Sequence, residues 1–205
     1  MDILQKLKNN QRRIGLTGGI ASGKSTITNF IRKYKSIPIL DADNLSRELI
    51  KPNTYGYKKI LDYFGKQIID NKNNSEKLIN RKLLKNIIFN NEESREWIEK
   101  LLHPLVKEKM IEECTQYKNN QTILLVIPLL FEAKFEDICT EIWLVKCPKE
   151  LQKKRLIKRD NISEKEANET INLQLSFAEK RKLSDVILDN SKDQNKWINT
   201  IRTLI

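Results

Sequence analysis

Between an apolar run and an amphipathic one lies GGIASGKS, residues 18–25, and this octapeptide restricts the fold more than any other stretch of the chain. Its pattern is G-x-x-x-x-G-K-[ST], the form of a loop that wraps an anion with main-chain amides. Glycine admits positive φ and lets the anion approach the backbone closely. Such a loop works only where a strand enters it and a helix leaves it, because the helix end adds its own positive field. Both neighbours fit. RIGLT (13–17) reads as a buried strand. Residues 24–34 read as a helix with Ile27, Phe30, Ile31 and Tyr34 at i, i+3, i+4 and i+7. Four of the six glycines lie between Gly15 and Gly23, and Gly15 itself is read as permitting close packing within the strand.

In this context the backbone of Gly18, Gly19, Ile20, Ala21, Ser22 and Gly23 is expected to surround a polyphosphate. Lys24 would reach the β- and γ-phosphates and the Ser25 hydroxyl would ligate Mg²⁺. Thr26 would contact the α-phosphate.

The remaining apolar runs are IPIL (37–40), TILLVI (122–127), EIWLVKC (141–147) and DVILD (185–189), each read as a strand. After the last comes a helix with Trp197, Ile201 and Leu204 on one face. Continuous apolar strands interleaved with helices predict an α/β fold, a parallel five-stranded sheet with helices on both faces. Residues 46–119 carry helical pattern and no strand, and read as a helical insertion. Within it NNEE resembles a capping box starting a helix near Asn90, and Pro104 is expected to break or kink the chain near His103. A second insertion, 148–175, contains a capping box at Ser163 and Glu166, with Ala167, Ile171, Gln174 and Ala178 along one helical side. The sheet and its covering helices then occupy 11–45, 120–147 and 176–205.

At 205 residues a chain buries a sizeable core without disulfides or structural metal. Three cysteines without paired spacing and a single histidine make a poor zinc set and point to reduced thiols in a cytoplasm. No apolar run approaches a membrane span, and MDILQKLKNNQRR lacks the apolar core of a signal peptide. The formal net charge of +11 could mark a nucleic-acid partner. The lysines are scattered, however, and no aromatic-basic module accompanies them, so the charge is read as compositional.

Reaction class comes from outside the loop. There is no guanine-reading Asn-Lys-x-Asp. ILLVIPLLFE departs from the motor-ATPase pattern, since Pro128 intervenes and an acid, Glu132, arrives only four residues later. ILDAD instead puts Asp41 and Asp43 just past the second strand, at the carboxyl end of the sheet where ligands gather. Either could take a hydroxyl proton or hold Mg²⁺ through water, and either could cap the helix NLSRELI. Arg155 and Arg159, four apart and flanked by Lys154 and Lys158, share a helical face. They suit a lid that neutralises phosphate charge, and equally a solvated basic helix.

IGLTGGIASGKSTI, ILDADNLSRELI, RKLLKNIIF, LLHPLV, VIPLLFE, QKKRLIKRD and QLSFAEKRKLSDVILDN occur in the order found in dephospho-CoA kinases, and the chain resembles that family over about residues 13–191. The resemblance implies a cytoplasmic enzyme that moves the γ-phosphoryl of MgATP to the ribose 3′-hydroxyl of dephospho-CoA. It implies that 46–119 binds the acceptor and that 148–175 is the lid. It singles out Asp43 as general base and Arg155 and Arg159 as lid arginines. Arg81 and His103 look like acceptor-side residues, and Asn190 is similar to a position at the adenine end of the ATP site. Asn80 stands where many relatives have Asp, and Phe177 and Lys180 stand where some have arginine. The rivals are another small-molecule kinase with the same loop, or an ATP-dependent nucleic-acid-binding protein.

Overall fold

A computed structural model describes residues 3–7, 10–70, 77–118 and 121–205. In chain order its main elements are β1 (Arg12–Gly18), α1 (Lys24–Tyr34), β2 (Ile39–Asp41), α2 (Ala42–Leu49), α3 (Tyr55–Phe64), α4 (Arg81–Asn90), α5 (Glu92–Thr115) and β3 (Thr122–Val126). They continue with β4 (Glu141–Lys146), α6 (Lys149–Asp160), α7 (Glu164–Asn172), α8 (Phe177–Lys182), β5 (Val186–Asp189) and α9 (Gln194–Leu204). The chain divides into two compact units, 1–41 with 113–205, and 42–112.

In the first unit all five strands are parallel, in the order β2-β3-β1-β4-β5. β1 is central, with Leu16 opposite Val126 on one side and Gly18 opposite Val145 on the other. Ile14, Leu16, Leu124, Val126, Trp143, Val145 and Leu188 bury one face of the sheet against Ile27 and Ile31 of α1 and Trp197 and Ile201 of α9. The opposite face is equally dry: Ile123, Leu125, Ile142 and Leu144 are buried. This is why the strands read as unbroken apolar runs rather than alternating ones. Gly15 serves the close approach expected of it, since a Cβ there would lie 2.6 Å from the Cys139 sulfur and 2.8 Å from Leu130 Cδ1.

Three sequence-based boundaries shift for local reasons. β2 begins at Ile39 rather than Ile37, because Pro38 has no N–H to give; its carbonyl still accepts from Leu124 N at 2.9 Å. Asp185 precedes β5 and replaces a strand rung with its side chain, which accepts from Ile142 N at 2.7 Å. The helix that starts at Ser163 ends at Asn172, so Gln174 and Ala178 do not continue it. A second capping box, Ser176 with Glu179, opens α8 instead.

The 42–112 unit packs Tyr57, Ile60 and Phe64 of α3 with Ile68, Ile79, Leu84 of α4 and Ile98 of α5. Thr54 caps α3 by accepting from Tyr57 N, and Asn80 caps α4 by accepting from Leu83 N at 3.0 Å. α5 is opened by the Asn91 side chain, which accepts from Ser94 N at 2.7 Å; the third helical residue is Ser94 rather than glutamate, so the expected box is a simple cap. Pro104 does not break α5, which runs on to Thr115. It removes one rung, to the Lys100 carbonyl, but both residues are exposed and water can replace the lost bond. Among the described residues no helix is long and apolar enough to cross a membrane.

Candidate active site

The loop leaves β1 at its carboxyl end and bends at three positions with positive φ: Gly18 at 152°, Ala21 at 55° and Gly23 at 99°. Ser22 N donates to Gly19 O at 3.2 Å and closes the turn; Thr26 N donates to Gly23 O at 3.0 Å and starts α1. Ser25 and Thr26 therefore stand exposed in the first turn of α1, at the positive end of its dipole. Lys24 folds back over the loop, its ammonium donating to the carbonyls of Gly18 at 2.7 Å and Gly19 at 3.0 Å.

Two distant elements close around this turn. From α6, Arg155 Nη1 lies 3.4 Å from Ser22 O, 3.5 Å from Ala21 O and 3.5 Å from the Cys147 sulfur. From the end of β5, the buried Asn190 donates through Nδ2 to Ser22 O at 2.8 Å. A side chain at position 23 would overlap that amide, which, with the positive φ, makes glycine obligatory there. Asp189 beside it is held below the usual carboxylate range by hydrogen bonds from Ser191 and Lys146, against partial burial. Burial pushes the Cys147 thiol up, with Arg155 opposing it.

Arg159 lies one turn beyond Arg155 on α6. Its Nε and Nη2 pair with both Asp160 oxygens, at 2.7 and 3.0 Å. Asp41 is the last residue of β2, opposite Val126, and Asp43 lies exposed in the first turn of α2. Asp43, Arg81 and His103 belong to the 42–112 unit. Arg81 is the first residue of α4 and exposed; His103 is half-buried in α5, where desolvation lowers its pKa and Glu99 partly opposes this.

Four site residues had not been singled out as such. Gln152 donates to Cys147 O at 2.8 Å and packs against Gly19. Gln174 accepts from Ile20 N at 2.7 Å. Glu132 and Lys180 pair at 2.8 Å. A cavity of about 450 Å³ beside the loop is lined by Gly19, Val145, Cys147, Gln152, Gln174 and Phe177, among others. Among the described residues no cluster of His, Cys, Asp or Glu could by itself hold a metal. The donor at hand is the Ser25 hydroxyl, which suits Mg²⁺ bound largely through water and phosphate oxygens.

A parallel sheet of this strand order, with the phosphate loop between its central strand and α1, defines a phosphate-loop kinase. The Dephospho-CoA kinase family model matches residues 12–196. A dephospho-CoA kinase of Prochlorococcus marinus (strain MIT 9312) is 86% identical over the whole of both chains, and another from strain CCMP1986 of that species is 64% identical over the same extent. The solved dephospho-CoA kinase of Campylobacter jejuni superposes with a TM-score of 0.69 at 27% identity, covering 95% of this chain and 97% of its own. The chain belongs to the dephospho-CoA kinase family.

Proposed function

We propose that the loop at 18–25 and the groups around it hold ATP while Asp43 activates the acceptor in the reaction of this family. That reaction transfers the γ-phosphoryl of ATP to the ribose 3′-hydroxyl of dephospho-CoA, yielding CoA and ADP. The loop amides bind the β- and γ-phosphates, Lys24 exchanges its carbonyl partners for phosphate oxygens, and Thr26 meets the α-phosphate. Asn190 borders the adenine end. Arg155 neutralises charge that builds on the transferring group. Arg159 joins it by trading the Asp160 carboxylate for a phosphate oxygen, as residues 148–175 act as the lid that shuts out water. Asp43 accepts the proton of the hydroxyl as its oxygen bonds to the γ-phosphorus and the bond to the ADP oxygen breaks. The Ser25 hydroxyl would hold Mg²⁺, which would supply charge screening for the phosphates. Residues 46–119 carry the acceptor, with Arg81 and His103 on its binding side. The protein works in the cytoplasm.

The observation that most supports this reading is the convergence of Lys24, Arg155 and Asn190 on one turn, from three elements far apart in sequence. Incubation with MgATP and dephospho-CoA tests it, with CoA followed by mass. CoA formation that needs both substrates is expected. Folded, ATP-binding protein that makes no CoA would defeat the acceptor assignment.

A further inference from the structure

Gln174 gives the Ile20 amide a side-chain partner from 154 residues away, and the next residue explains how it is held there. Leu175 N donates to Glu132 Oε1 at 3.0 Å. The same oxygen lies 2.8 Å from Lys180 Nζ, and the Lys180 side chain is only 1% exposed. A cation so buried is costly without its counter-charge, and here the counter-charge also grips a main-chain N–H. Glu132, Lys180 and residues 174–175 thus form one connected strut that ends on the phosphate loop.

The loop needs such support at that point. Ala21, directly after Ile20, keeps φ at 55°, a left-handed value that an L side chain holds only under restraint from its surroundings. Asn190 and Arg155 brace the loop beyond this residue, at the Ala21 and Ser22 carbonyls. Gln174 braces it before.

We propose that Lys180 and Glu132 are positioning residues for nucleotide binding: their ion pair fixes the Leu175 amide, which sets Gln174 on Ile20 and holds the outer limb of the loop in shape for phosphate. Lys180 borders the cavity beside the loop, but its side chain is buried against Glu132. This rests on the reading that the loop holds ATP.

Titrating ATP into the whole enzyme tests it, alongside steady-state kinetics for both substrates. Gln174→Ala changes a half-buried side chain outside any helix and should weaken ATP binding about threefold to tenfold, as expected for one lost hydrogen bond. The KM for dephospho-CoA should not move. Lys180→Met should weaken ATP binding at least as much, Lys180→Arg should restore it, and the double variant Gln174→Ala with Lys180→Met should be no weaker than the worse single one. Unchanged ATP affinity in Gln174→Ala overturns the strut while leaving the loop assignment standing. So does an effect that multiplies in the double variant. If Lys180→Met does not fold, Gln174→Ala decides alone. Wild-type enzyme that binds no ATP overturns both readings.

Discussion

The side-chain amide of Asn190 donates to the carbonyl of Ser22 across 2.8 Å, tying the end of β5 to the middle of the phosphate loop. Asn190 is buried, so its removal leaves the Ser22 carbonyl with only the longer Arg155 contact at 3.4 Å. Asn190→Ala should cost about 1–3 kcal/mol of stability and weaken ATP binding with it. Gly23→Ala should be worse, because it adds a strained φ of 99° to an overlap with the same amide. Chemical denaturation and ATP titration on both variants check the order. Equal or reversed effects would mean that the contact does not shape the loop.

Lys24→Ala removes the ammonium that lies over Gly18 and Gly19. A charged group on phosphate is worth about 1.5–3 kcal/mol, so ATP binding should fall about tenfold to a hundredfold, and turnover should fall with it. Direct titration and kcat measure the two losses. A variant with intact turnover would remove Lys24 from the phosphate site.

Asp43→Asn keeps the size and hydrogen-bonding shape of the side chain but cannot take a proton. Turnover should drop by about a hundredfold or more while ATP affinity stays within a few-fold. Near-normal turnover would move the base elsewhere, and Asp41, at the end of β2, is then the first residue to replace.

Desolvation holds the His103 pKa below 6.5, so the unfolded chain binds this proton more readily than the native one. Stability is therefore fully present above pH 6.5 and declines as pH falls through that value towards the lowered native pKa. The carboxylates whose pKa values are depressed, Glu141 and Asp189 among them, titrate at lower pH. Thermal unfolding between pH 7.5 and 5.5 should show a midpoint that drops on acidification, and His103→Gln should flatten the slope. A slope unchanged by the substitution would place the responsible proton on another group.

The phosphate loop was legible because its elements lie in one contiguous stretch, residues 13–34: an apolar strand, spaced glycines, Lys24, Ser25 and an amphipathic helix. The five strands were legible because burial on both faces leaves no polar interruption. Gln174 and its link to the Glu132–Lys180 pair were not, since the bonds that define them, Ile20 to Gln174 and Leu175 to Glu132, span 154 and 43 residues and exist only once β1, β3 and β4 stand side by side. Periodicity carried the α7 helix too far because Ala167, Ile171, Gln174 and Ala178 keep a helical interval, whereas Ser176 and Glu179 start a new helix between them. Pro104 misled in the opposite sense: a local breaker was overridden in a 24-residue helix whose lost rung faces water. Asn80 stands where the resemblance led one to expect an acid, and it performs a cap for which Asn and Asp serve equally.

The two capping boxes, Ser163 with Glu166 and Ser176 with Glu179, make α7 and α8 separate stiff rods. The last rung of the first runs from Gln174 N to Ile171 O and the first rung of the second from Lys180 N to Ser176 O. The joint between them is an elbow without a helical rung of its own, so a change in its few torsions would leave both helices intact; it is restrained by what grips residues 174 and 175 and by the ties of α7 to α6, Lys149 to Asn172 and Lys153 to Glu164.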